Sequence, residues 1–212
     1  NKTFDLFGPI PEKGSFLMIG NPELFQKEIE ALTIDIEWSN IPDDFGGFKT
    51  YYNGYSTEFN NDTFNVQFTA LSNGYWLPNL APEIPVFNLF ETENCTTPEG
   101  YASVKLKDST KIDLQDFSEL GIAQNFNIPT PLTYDITSQS GFIKFTLTNP
   151  SAGFGNDLYQ KEFIDIATFN AKNKTQIPYP NKPYLPKVNG ISVSYKASDT
   201  IYFTESLAKS SA

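Results

Sequence analysis

The chain has 212 residues, with 25 acidic against 15 basic side chains and a net charge of −10, a balance that repels nucleic-acid phosphates and anionic lipid. Histidine is absent and cysteine occurs once. This excludes Ser-His and Cys-His nucleophiles, histidine- or thiolate-bound zinc and any internal disulfide.

In chain order, the apolar run Phe16 to Ile19, stopped by Gly20 and Pro22, predicts a buried strand. From Leu32 the pattern alternates. Leu32, Ile34, Ile36 and Trp38 face one way, and Thr33, Asp35, Glu37 and Ser39 the other, as in a half-buried antiparallel strand ended by Pro42. Around 43–52, Phe45, Phe48, Tyr51 and Tyr52 fall at helical spacing behind Asp43 and Asp44. Gly46 and Gly47 together cost a helix about 2 kcal/mol, so the expectation is one or two short helical turns. Phe64, Val66 and Phe68 alternate into Asn73–Gly74, a hairpin dipeptide that brings Trp76 back on a returning strand.

Residues 84–91 and 101–108 read as two further strands, with a polar loop (92–100) between them, and 109–140 as the least regular part of the chain. Phe142, Phe145 and Leu147 mark another strand. One amphipathic helix is predicted over about 156–171, capped by Asn156 and packed through Leu158, Tyr159, Phe163, Ile166, Ala167 and Asn170. Pro178, Pro180, Pro183 and Pro186 make a rigid extended linker. Residues 189–198 and 200–205 close the chain as strands. With 15 prolines, 13 glycines and 30 phenylalanines and tyrosines, this is a mainly β, antiparallel sandwich-like domain with an aromatic core. Residues 1–212 are read as one domain, with two lobes divided near residue 110 as the alternative. The chain starts at Asn1 and ends directly after a strand-like run, as a piece cut from a longer polypeptide does. No run of about 18 apolar residues is present to span a membrane.

The residues that carry chemistry give little. Gly153 and Gly155 sit between a strand and a helix, where phosphate loops occur. The following residues are Asn156 and Asp157, not a lysine or hydroxyl, so the loop reads as a turn. Asp35 and Glu37 share a strand face about 7 Å apart, which is the pattern of a solvated face before that of a glycosidase pair. Asn60, Asn61 and Asp62 offer oxygens to a cation without the spacing of a calcium loop. No cofactor and no metal-ligand set is implied. Tyr51, Tyr52, Tyr55 and Trp76 remain as aromatic candidates: core, protein interface or sugar-stacking platform.

Three segments carry a resemblance. They are FDLFGPIPEKGSFLMIGNPELFQKEI (4–29) with LTIDIEWSNIPDDFGGFKTYY (32–52), then QSGFIKFTLTNPSAGFGNDLYQKEF (139–163), then NKPYLPKVNGISVSYKASDTI (181–201). Together they resemble the baseplate J-like wedge proteins of contractile injection systems, the phage-tail-like particles, over about residues 4–95 and 138–201. The resemblance implies a structural assembly domain with no active site to carry over. Its partners would be other baseplate, sheath or spike subunits in a multi-subunit complex, assembled in the bacterial cytoplasm, with no nucleic acid bound and no membrane insertion. On that reading Tyr51, Tyr52, Tyr55 and Trp76 are interface anchors. The alternative is a carbohydrate-binding β-sandwich module, which needs Trp76 and at least two of those tyrosines coplanar in one groove. Assembly instead predicts exposed apolar patches or unpaired strand edges.

Overall fold

The computed structural model describes residues 2–78, 84–115, 120, 122 and 131–198. Over these residues the fold is mainly β, with antiparallel sheets and two helices. The first sheet contains β1 (Phe4–Asp5), β3 (Glu28–Trp38), β9 (Ser109–Gln115) and β11 (Lys187–Ser198), in the order β1-β11-β3-β9. The second contains β2 (Phe16–Gly20), β4 (Asn65–Ser72), β5 (Tyr75–Leu77), β6 (Val86–Asn88) and β10 (Phe142–Asn149). Its order is β2-β10-β4-β5, and β6 pairs with the other end of β4. A third, two-stranded sheet joins β7 (Thr92–Thr96) to β8 (Ala102–Leu106). The helices are α1 (Phe48–Tyr51) and α2 (Asn156–Asn173).

The long strand β3 sits where its alternation puts it, between β11 and β9, with Leu32, Ile34, Ile36 and Trp38 all buried. A register shift at Glu30 switches its parity, so that Ile29 is buried as well. Such a bulge adds one residue and rotates the strand locally. A second shift leaves Asn189 of β11 unpaired, and its side-chain amide donates to the Trp38 carbonyl at 3.2 Å.

One hydrophobic cluster joins the two larger sheets. It takes Leu32, Ile34, Ile36 and Ile112 from the first, and Val66, Phe68, Ile143, Phe145 and Leu147 from the second. At one end it becomes a hub of rings. Phe48, fully buried, has its centroid 4.8 Å from Phe64, 4.7 Å from Phe90 and 5.2 Å from Tyr184, while Phe64 stacks on Phe154 at 4.5 Å. Burying a ring of this size stabilises the fold by about 1.5–3 kcal/mol, and a favourable ring pair adds about 0.5–1.5 kcal/mol.

Five expectations are corrected. The run at β2 is an edge strand, half-exposed, because β10 alone pairs with it; Phe16 is 53% exposed. The polar stretch after Glu91 is not a loop: Thr92 to Thr96 pair residue by residue with β8, so backbone pairing supplies what apolar content does not. Within the supposedly irregular part, β9 alternates in full, with Thr110, Ile112 and Leu114 buried. Asn156 does not cap α2. Gly155, in the left-handed region at φ 83°, holds that position without a side-chain bond, and Asn156 is already helical. Finally, the predicted stripe of α2 is buried only in part: Leu158 packs against the core and Tyr159, Ile166, Ala167 and Asn170 are half-buried, but Phe163 is exposed, and the most buried residue of the helix is Glu162. The predicted strand at 200–205 lies outside the described residues. Both larger sheets draw strands from before and after residue 110.

The helical turn near 43–52 contracts to α1. Gly46 and Gly47, at φ 92° and 62°, lie ahead of it and avoid the cost of helical glycine. At Gly47 a Cβ would collide with the Asn61 side chain. That side chain accepts the Phe48 N–H at 2.8 Å, and its amide donates to the Gly46 carbonyl at 3.3 Å. The helix start is therefore capped from across the chain, and not by Asp43 or Asp44.

Candidate interaction surfaces

Three of the four aromatic candidates come together. Tyr52 is buried, and its hydroxyl donates to the Phe154 carbonyl at 3.0 Å while accepting the Tyr184 N–H at 3.1 Å. Tyr51 and Tyr55, partly buried, donate to the carbonyls of Lys182 and Asn181 at 2.9 and 2.8 Å, and Asn181 returns an amide bond to the Tyr51 carbonyl at 2.7 Å. The proline-rich segment is thus pinned to the body by a row of phenols. Burial raises the pKa of Tyr52, Tyr55 and Tyr184 far above the ordinary value of 10, so all three stay neutral donors.

Their rings do not form a stacking platform. Tyr51 and Tyr52 meet at 78°, Tyr52 and Tyr55 at 76°, both edge-on. Trp76 stands apart on β5, on the outer face of the second sheet. There it lies 6.1 Å from the Tyr134 ring, tilted by 42°, and the Lys144 ammonium is 4.2 Å from its centroid. The coplanar groove of tyrosines and Trp76 that a sugar would need is not formed.

The remaining chemical candidates resolve into structure. The N–H groups of Gly153 and Gly155 donate to the carbonyls of Pro150 and Ala152, inside their own turn, and so are not aimed at an anion. A Cβ at Gly153 would lie 2.7 Å from the Pro11 carbonyl, so glycine is required there by a close crossing of the chain. Asp35 and Glu37 lie on the face of β3 turned away from the core, where Asp35 stands opposite Lys111. In the 60–62 loop, Asn60 Oδ1 accepts from the Asp62 N–H and the Thr63 hydroxyl, and Asp62 Oδ1 accepts from Asn88. Among the described residues no group of three His, Cys, Asp or Glu side chains is placed to hold a metal ion.

Two features were not anticipated. Glu162, on the inner side of α2, accepts both the N–H and the hydroxyl of Ser56, the former at 3.0 Å. The other is what α2 leaves outside: Phe163, Ile164 and Phe169 are 39%, 60% and 48% exposed. Asn170 turns the chain back through bonds with Thr175 and Ile177, so that Tyr179 stacks on Phe163 at 4.5 Å. Tyr159, Gln160, Phe163 and Ile164 line a groove of about 320 Å³. The sequence shows these residues clearly, but the helical stripe assigned part of them to the core.

No protein-family model matches the chain, and no curated protein matches it. No helix among the described residues is long and apolar enough to cross a membrane.

Proposed function

We propose that this chain is an assembly domain of a contractile-injection baseplate wedge protein, docking to neighbouring baseplate, sheath or spike subunits and catalysing no reaction. The observation that carries the reading is α2. An 18-residue helix that packs inward through Leu158 and Glu162 while displaying Phe163, Ile164 and Phe169 to solvent has an apolar outer face suited to being covered by something else. Contiguous exposed apolar surface of this kind marks interaction sites, and aromatic side chains are enriched where partners bury them. The wedge resemblance of residues 4–95 and 138–201 supplies the kind of assembly, and with it a bacterial cytoplasm as the place of assembly. Tyr51, Tyr55 and Trp76, each partly exposed, remain available to such contacts, whereas Tyr52 acts inside the chain.

The test is co-purification of the intact protein from its native cell, with the accompanying subunits identified by mass spectrometry. Sheath, tube and spike proteins are the expected companions, and a protein recovered alone overturns the reading. Ile164→Glu and Phe169→Glu, at exposed positions, are expected to change folding stability by about 0.5 kcal/mol or less while removing the companions.

A further inference from the structure

Among the described residues, the β2 edge of the second sheet differs from the other edges of the two large sheets. Strand β1 has two residues and β5 and β6 three each, too short to template a partner. Strand β9 carries Lys111 and Asp113, and the Glu91 carboxylate already accepts the Lys111 N–H at 2.8 Å. Charges and covered donors are the usual protection of a sheet edge. Strand β2 has neither: Phe-Leu-Met-Ile-Gly contains no charge and no proline.

The register says which of its backbone groups no other described strand pairs. Leu147 donates to the Ser15 carbonyl, Asn21 donates to the Gly141 carbonyl, and Leu17 and Ile19 lie opposite Phe145 and Ile143. In an antiparallel pair the bonded residues alternate. Ser15, Leu17, Ile19 and Asn21 therefore face β10, and the N–H and C=O groups of Phe16, Met18 and Gly20 point outward from the sheet. Gly20 cannot be changed freely, because a Cβ there would lie 2.5 Å from the Phe142 ring.

Beside this edge stands a cation without a counter-charge. Lys144 lies directly across from Met18 on the outer face, with its ammonium 4.2 Å from the Trp76 ring and 5.9 Å from the Phe16 ring. None of the ion pairs among the described residues includes it, although the chain is strongly acidic. Burial without a counter-charge lowers its pKa. The Thr69 hydroxyl, on the strand paired with Lys144, is buried without a hydrogen-bond partner.

We infer that the β2 edge and Lys144 form one docking site for an extended acidic segment of another protein, which adds to the sheet as a further strand and sets a carboxylate against Lys144. An added strand would lie about 10 Å from the Lys144 backbone, two strand spacings away, within the combined reach of a lysine and a glutamate side chain. Backbone bonds to Phe16, Met18 and Gly20 would supply affinity, and the carboxylate selectivity, as in other β-augmentation sites. A second copy of this chain pairing β2 with β2 is disfavoured, because that strand brings no acid to Lys144. That the partner is a protein rests on the assembly reading; the edge and the unpaired cation do not.

The experiment is selection from a displayed library of random strand-length peptides on the 212-residue chain. Parallel selections use Met18→Pro, Phe16→Lys and Lys144→Glu. Proline at Met18 deletes an outward N–H and spares the bonds to β10; Phe16→Lys charges the edge without altering the backbone. The expected peptides carry acids at alternate positions and protect the amides of Phe16, Met18 and Gly20 from hydrogen exchange. They lose about tenfold or more in affinity on the edge variants, and Lys144→Glu turns the preference from acidic to basic. Four results overturn the inference: no enrichment, binding indifferent to both edge variants, no acidic preference that Lys144→Glu reverses, or self-association that Met18→Pro abolishes. Such a failure leaves co-purification of baseplate subunits untouched. Recovery of the protein alone, with acidic peptides still binding the edge, would instead remove the baseplate and keep the site.

Discussion

Asn61 acts thirteen residues from the helix it starts. Its two polar atoms satisfy the Phe48 N–H and the Gly46 carbonyl together, and the absence of a Cβ on Gly47 lets it approach. Replacing a cap of this sort by alanine costs about 0.5–2 kcal/mol. Asn61→Ala is expected in that range, since Phe48 sits at the centre of the ring hub, and urea unfolding measures it. Tyr52→Phe is the companion case. It strips the Phe154 carbonyl of a donor and the Tyr184 N–H of an acceptor at a buried site, an expected loss of about 1–3 kcal/mol. Tyr51→Phe, which removes one bond at a half-exposed position, is expected to cost less than Tyr52→Phe in the same measurement. Neither Asn61 nor Tyr52 announces its role in the sequence, because each bonds to backbone that only the fold brings near. Asn73–Gly74 does announce itself. Both residues take positive φ, 49° and 81°, within the two-residue turn they occupy.

Among the elements, β3, β4 and β10 are legible for one reason: each buries one face against the shared core, so the period of two is written in apolar residues. Strand β9 obeys the same rule with Thr110 at one buried position, where its hydroxyl accepts the Trp38 indole N–H and donates to the Leu89 carbonyl. A threonine in that role hides the period from a reading that counts apolar residues. Strand β7 hides it further, with no buried residue at all. The helix α2 was legible as a helix and in most of its stripe; Phe163 is the stripe residue left exposed, beside Ile164 and Phe169, because the apolar residues of the helix exceed one face. The buried residue that the stripe leaves out is Glu162. Its carboxylate, the most buried group of α2, accepts two bonds from Ser56, and charge-assisted bonds of this type are worth about 1.5–3 kcal/mol. Glu162→Ala is therefore expected to speed hydrogen exchange in α2 while the amides of β3 and β10 keep their protection. Glu162→Gln, which keeps an acceptor for Ser56, should retain most of the protection. Equal acceleration throughout the molecule would mean that α2 is integral to the cooperative core.

At the scale of the molecule, the two large sheets share a core, and the Glu91 carboxylate, just ahead of β7, both closes the base of the β7–β8 hairpin and ties it to β9. One oxygen accepts the Lys107 ammonium at 2.6 Å and the other the Lys111 N–H of β9 at 2.8 Å. The side-chain bond from Lys107 is the main cause that lowers the Glu91 pKa below its ordinary 4.5, helped by the backbone bond from Lys111 and opposed by burial. A carboxylate whose folded pKa is depressed binds its proton more readily in the unfolded chain. The stability it contributes is thus complete above about pH 4.5 and is lost as the pH falls through the lowered folded value. Glu91→Gln is expected to be the less stable protein near neutrality. The gap should close on acidification below pH 4.5, where both side chains become neutral, while staying constant between pH 6 and 8. Urea midpoints across that range read the difference directly. A gap that persisted at low pH would assign the contribution of Glu91 to packing and to the geometry of its hydrogen bonds, and not to its charge.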